Sequence, residues 1–88
     1  MSRRLEIDLD HHEGALLRLL GTVERRGFDV LEFVADTPEP GHYSVRLCLE
    51  GERDPQVLCR QLERLVEVRA VRLVPEPPPP PGFQATWL

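Results

Sequence analysis

Along residues 4–74 the hydrophobic period switches repeatedly between that of a strand and that of a helix, and the order of the switches leaves few folds open. Residues 4–9 alternate, with Leu5, Ile7 and Leu9 on one side and Arg4, Glu6 and Asp8 on the other. This is the pattern of a strand with one wet face. Residues 13–26 carry Leu16, Leu19, Leu20 and Val23 at helical spacing. Arg25 and Arg26 suit the last turn of that helix, and Gly27 suits the C′ position beyond it. Residues 28–36 (FDVLEFVAD) are β-rich and apolar at odd and even positions alike, and the turn residues TPEPG follow. Residues 42–50 alternate cleanly, with Tyr43, Val45, Leu47 and Leu49 against Ser44, Arg46, Cys48 and Glu50. Asp54-Pro55 then supplies an N-cap and a proline at the first helical position. The spacing predicts a helix over 55–66 with Leu58, Leu62 and Leu65 on one face, and VRAVRLV at 68–74 reads as a last strand.

The order β-α-β-β-α-β predicts the α+β class: a ferredoxin-like βαββαβ sandwich, with a four-stranded antiparallel sheet and two helices on one face. Right-handed crossovers make the first and third strands central. The domain is expected over 1–74. Residues 75–88 hold six of the nine prolines, so they join neither a helix nor a central strand. Two readings of this tail stand: a disordered extension, or a stiff spacer that docks Phe83 and Trp87.

The chain of 88 residues has room for one small domain. Its 11 cations are all arginine against 15 acids, a net charge of −4. Without lysine it can form neither a lysine Schiff base nor a P-loop. The acidic balance and the lack of aromatics on the open strand face argue against nucleic acid. No apolar run is long enough to span a bilayer, and MSRRLEIDLD does not read as a secretory signal. Cys48 and Cys59 form neither a disulfide framework nor a zinc knuckle, so the reducing cytoplasm is the expected compartment.

The second strand is expected at a sheet edge. Its two-sided apolar character predicts a homodimer seam through Phe28, Val30, Leu31, Phe33 and Val34. The other reading is that its own hairpin loop covers it. Asp10-His11-His12-Glu13-Gly14 forms the first strand–helix loop. Adjacent histidines on extended chain point apart, so no metal site is expected there. Backbone N–H groups at a helix start attract a carboxylate, and Gly14 lets a ligand approach closely. Gly14, Ala15 and Leu16 are therefore candidates to hold a small amino acid. Alternatively Gly14 serves only the turn, with Asp10 or Glu13 as cap. Neither cysteine nor serine shows a positioned base, so catalysis by this chain alone is not expected.

The run GALLRLLGTVERRGFDVLEFVA (14–35) resembles the first helix and second strand of the ACT domain in acetohydroxyacid synthase small subunits. The matching steps are Gly14-Ala15-Leu16, Arg18-Leu19-Leu20-Gly21 and Arg26-Gly27-Phe28. QLERLVEVRAVRLV (61–74) is similar to that family's second helix and last strand. The resemblance implies a regulatory subunit that activates the large catalytic subunit in branched-chain amino-acid synthesis. It implies no cofactor in this chain; thiamine diphosphate, Mg2+ and FAD are expected only in the catalytic partner. It also implies pairing through the second strand. An effector site would then lie between His11, His12, Glu13, Gly14, Ala15 and Leu16 of one chain and Asp29 and Val30 of the other. Valine-sensitive members carry an asparagine where this chain has His11, and longer members carry a second domain. Both departures imply the short, valine-insensitive type. A free-standing ACT domain sensing an amino acid for another enzyme is the alternative, and a ligand-free dimerisation module is a third reading.

Overall fold

The computed structural model describes residues 2–75. Six elements follow one another: β1 (Ser2–Asp10), α1 (Ala15–Arg25), β2 (Asp29–Glu39), β3 (His42–Glu50), α2 (Pro55–Glu63) and β4 (Val68–Val74). The strands form one antiparallel sheet in the order β2-β3-β1-β4. The expected ferredoxin-like sandwich is the fold observed, with β1 and β3 central. The proline-rich tail, with Phe83 and Trp87, lies outside the described residues apart from Pro75.

The period-2 faces of the central strands make the core. Leu5, Ile7 and Leu9 of β1 and Val45, Leu47 and Leu49 of β3 are all at most 2% exposed. Leu19 and Val23 of α1 and Leu58 and Leu62 of α2 complete the same buried cluster. Asp54 caps α2 by accepting from the Gln56 N–H at 2.9 Å, with Pro55 behind it. That helix ends three residues before the expected 66. Arg64 N–H and Leu65 N–H bond to carbonyls three residues back, at Gln61 and Leu62, which tightens the last turn.

β2 runs farther than expected and takes in most of TPEPG. One extra residue between Asp36 and Glu39 bulges the strand, and this accommodates Pro38 at the sheet edge. The chain then reverses at Pro40-Gly41, with Gly41 at φ 81.

The exit of α1 corrects the expected seam. Gly27, at φ 91, donates its N–H to Glu24, and Phe28 donates its N–H to Val23. These two bonds make a Schellman motif, in which the residue after the glycine folds back on the helix. Phe28 is therefore 3% exposed, in the same cluster as Val23 and beneath Gly51. It belongs to the core and not to an exposed edge. A second bulge explains the missing alternation: Val30 faces Leu49 and Glu32 faces Cys48, so Leu31 is an extra residue. Val30, Phe33 and Ala35 thus all turn toward the helices and pack partly buried against the core. Only Leu31, 56% exposed, and Val34, opposite Arg46 on the open face, point away from it.

Phe28→Ala is expected to lower the free energy of unfolding by about 3–5 kcal/mol, the cost of emptying an aromatic site in a core. Leu17→Ala, at a helix position 76% exposed, should stay within about 0.5 kcal/mol. Urea unfolding checks both; equal effects would remove Phe28 from the core.

Candidate functional site

The β1–α1 loop is held by backbone hydrogen bonds to two other segments and by one of its own. Asp10 N–H donates to the Glu67 carbonyl at 2.8 Å, His11 N–H to Gly41 at 3.0 Å, and Ala15 N–H to His12 at 3.0 Å. The loop is thereby tied to the α2–β4 connection and to the β2–β3 turn. The His11 ring stands edge-on to Tyr43, with centroids 4.7 Å apart. Asp10 pairs with Arg69, and His42 lies 3.5 Å from Asp8.

Gly14 is the N-cap of α1 in the left-handed region, at φ 76, and no side chain caps the helix. Neither Asp10 nor Glu13 takes that role, so the first-turn donors of α1 keep the partial positive charge of a helix start. Arg18 lies one turn above. Its guanidinium donates to the Glu13 carbonyl at 3.0 Å, pairs with the Glu67 carboxylate, and comes within 3.0 Å of where a Gly14 side chain would stand. A small molecule entering here meets a helix start without a side-chain cap, a half-exposed guanidinium and two exposed imidazoles. That set favours a carboxylate.

Of the candidate effector residues, His11, His12 and Glu13 are exposed around the loop, while Gly14 is half-buried. Ala15 is 2% exposed and Leu16 packs on the core, so each offers backbone rather than side chain. Asp29 and Val30 lie elsewhere. They pair with Glu50 and Leu49, at the end of the sheet where β1 begins, whereas His11 follows the Asp10–His42 pair at the other end. The two groups are separated by roughly 26 Å at ~3.3 Å per strand residue. One chain does not bring them together.

Sequence reasoning missed Arg18 and Glu67 as partners of the loop. Arg18 had a signal, since it lies four residues after Gly14 and thus on the same helix face. Glu67 had none, because the α2–β4 connection meets the loop only through the fold. Among the described residues no group of three or more His, Cys, Asp or Glu side chains is placed to share a metal ion. Cys59 is in the core, and burial first, then Glu63, pushes its thiol up. No helix of the described residues is long and apolar enough to cross a membrane. The open sheet face carries Arg4, Glu6, Arg46, Cys48 and Glu32 around a shallow depression of about 300 Å³.

A family model of the ACT domain matches residues 11–71. No curated protein sequence matches the chain. Among solved structures, the ACT domain from GTP pyrophosphokinase of Chlorobium tepidum superposes with a TM-score of 0.73 at 13% identity, covering 84% of this chain and 97% of that one. The small subunit of acetolactate synthase from Thermotoga maritima gives a TM-score of 0.73 at 19% identity, covering 83% of this chain and 47% of that one. The C-terminal domain of the MgtC protein from Mycobacterium tuberculosis gives 0.65 at 10% identity, covering 83% and 84%. These identities speak for the fold alone.

The Glu67 carboxyl, its side chain 12% exposed, is held below the usual carboxylate range by its own backbone N–H first and by Arg18 second. A depressed carboxyl stabilises the fold above its unfolded value, about 4.3, and loses that contribution as pH falls through the folded value. Glu67→Gln should therefore lower the melting temperature at pH 7, and the gap to the parent should close in strong acid. A gap that persists below pH ~3 would show that the carboxylate is not its source.

Proposed function

The chain belongs to the ACT domain family, and we propose that it works as the regulatory small subunit of an acetohydroxyacid synthase, pairing with a second copy of itself through β2. An ACT domain is a regulatory, non-catalytic unit, so the chemistry belongs to a separate catalytic chain. The observation that carries the reading is the division of the candidate effector site between opposite ends of one sheet. Antiparallel pairing of two β2 strands lays the start of one beside the end of the other. Asp29 and Val30 of a second copy then come to the sheet end that carries His11–Leu16.

β2 is suited to such a seam. It is 11 residues long, lies at the sheet edge, and presents Leu31 and Val34 away from its own core. Its acids limit the register, because like charges directly opposite are destabilising. A two-fold axis at Val34 would set Glu32 against Asp36; an axis at Phe33 sets Glu32 against Val34 instead. The choice of acetohydroxyacid synthase rests on the runs at 14–35 and 61–74 and is supported by the likeness to a small subunit of that enzyme. Thiamine diphosphate, Mg2+ and FAD would be held by the large subunit. The likeness to the ACT domain of a GTP pyrophosphokinase supports the second reading, an amino-acid sensor for another enzyme.

Two measurements test this. Mixed with the purified large subunit, the chain should form a complex and raise the rate of acetolactate formation; neither effect would reject the assignment. Leu31→Glu and Val34→Glu should each halve the sedimenting mass while leaving the helical circular dichroism intact, since each sets a charge in the seam without a partner. An unchanged mass would place the seam elsewhere. Calorimetric titration with valine, isoleucine and leucine distinguishes an effector-binding subunit from a purely structural one.

A further inference from the structure

On the helical layer a groove of about 450 Å³ opens between the C-terminal half of α1 and the C-terminal half of α2 with the turn that follows it. It is lined by Thr22, Arg25, Arg26, Gln61, Arg64 and Leu65, with no carboxylate among them. We propose that this groove is a binding site for a small phosphoryl anion carrying two or three negative charges.

Three guanidinium groups converge here in a chain whose net charge is −4. Outside the groove four arginines meet acids, Arg18 with Glu67, Arg46 with Asp36, Arg69 with Asp10 and Arg72 with Glu6, while Arg4, Arg53 and Arg60 show no ion pair among the described residues but do not line the groove. Arg25, Arg26 and Arg64 pair with no acid among the described residues. Two of them are held in place by neutral groups instead. Arg25 donates to the hydroxyl of Thr22, a buried residue, at 3.3 Å, and that hydroxyl is itself fixed by donating to the Arg18 carbonyl at 2.8 Å. Arg26 reaches across to the second helix and donates to Gln61 Oε1 at 3.0 Å. The Arg64 side chain makes no hydrogen bond or ion pair among the described residues, so its donors are open to a ligand.

Helix C-termini favour a cation each, which accounts for the arginines singly. It does not account for three lining one groove with no acid among its lining residues, a local field that favours an anion. Guanidinium forks match the oxygen spacing of a phosphoryl group and bind it bidentately. Three of them match the charge of a diphosphate better than that of one carboxylate. Pairing through β2 uses a sheet edge, and none of the groove's lining residues lies on that strand.

The test is calorimetric titration of the full chain with inorganic pyrophosphate at fixed ionic strength, with citrate as an equally charged carboxylate. Pyrophosphate should bind saturably, and Arg64→Gln and Arg25→Gln should each weaken it by about tenfold or more, the loss of one charge-assisted contact. Arg46→Gln, on the open sheet face, should leave it unchanged. Circular dichroism confirms that each variant folds; Arg64→Gln disturbs no internal contact of that side chain. Absence of saturable heat, equal binding of citrate, or binding that survives both groove substitutions would overturn the site. None of these outcomes bears on association through β2 or on the large-subunit assay.

Discussion

The β1–β3 ladder is the constraint on which the molecule depends. Its inward residues are buried almost without remainder, and both helices are positioned by covering that one apolar face. A register slip of one residue on either strand would turn Leu5, Ile7 and Leu9, or Val45, Leu47 and Leu49, toward water and bring arginine and glutamate inward. The helix starts and the loops that precede them inherit their positions from this ladder. The β1–α1 loop is a case in point: it is fixed by hydrogen bonds to the β2–β3 turn and to the α2–β4 connection, and both lie at the same end of the sheet because β1, β3 and β4 alternate in direction.

Burial is uneven across the sheet, and the unevenness bears on function. β1 and β3 are satisfied on both sides by neighbouring strands, whereas β2 leaves one row of backbone groups unpaired along an edge. Such an edge is a template for another strand unless it is blunted. β2 is only partly blunted. Pro38 and the bulge near it disturb its far end, and its acids discourage indiscriminate pairing, yet the stretch from Glu32 to Asp36 keeps regular register with β3. That combination favours one chosen partner register over many.

The order of elements and the core were legible in the sequence because both rest on periodicity, which the chain displays without interruption in β1, α1, β3 and α2. The reading failed where one inserted residue broke the period. Apolar doublets at Val30-Leu31 and Phe33-Val34 looked like a strand greasy on both faces, but the bulge at Leu31 returns Val30, Phe33 and Ala35 to a single face. Phe28 was misplaced for a related reason. Gly27 marks the helix end in the sequence, and the residue after such a glycine turns back to touch the helix. The loop glycine was legible, while its neighbours were not. Arg18 and Glu67 are 49 residues apart in sequence and meet only once the fold exists.

The arrangement around Gly14 links stability and recognition at one place. The left-handed cap admits no side chain without strain, and the guanidinium of Arg18 already occupies the space one would enter. The loop therefore keeps its helix start uncapped by any side chain, with the Ala15 N–H donating to the His12 carbonyl. Glu67 holds Arg18 against the loop carbonyl of Glu13. A ligand carboxylate arriving at the helix start would compete with Glu67 for the same guanidinium, and the ion pair that steadies the empty loop would become the contact that reports its occupation. Ligand binding at this loop and the ion pair that ties the α2–β4 connection to α1 would then be coupled through a single arginine at one end of the sheet.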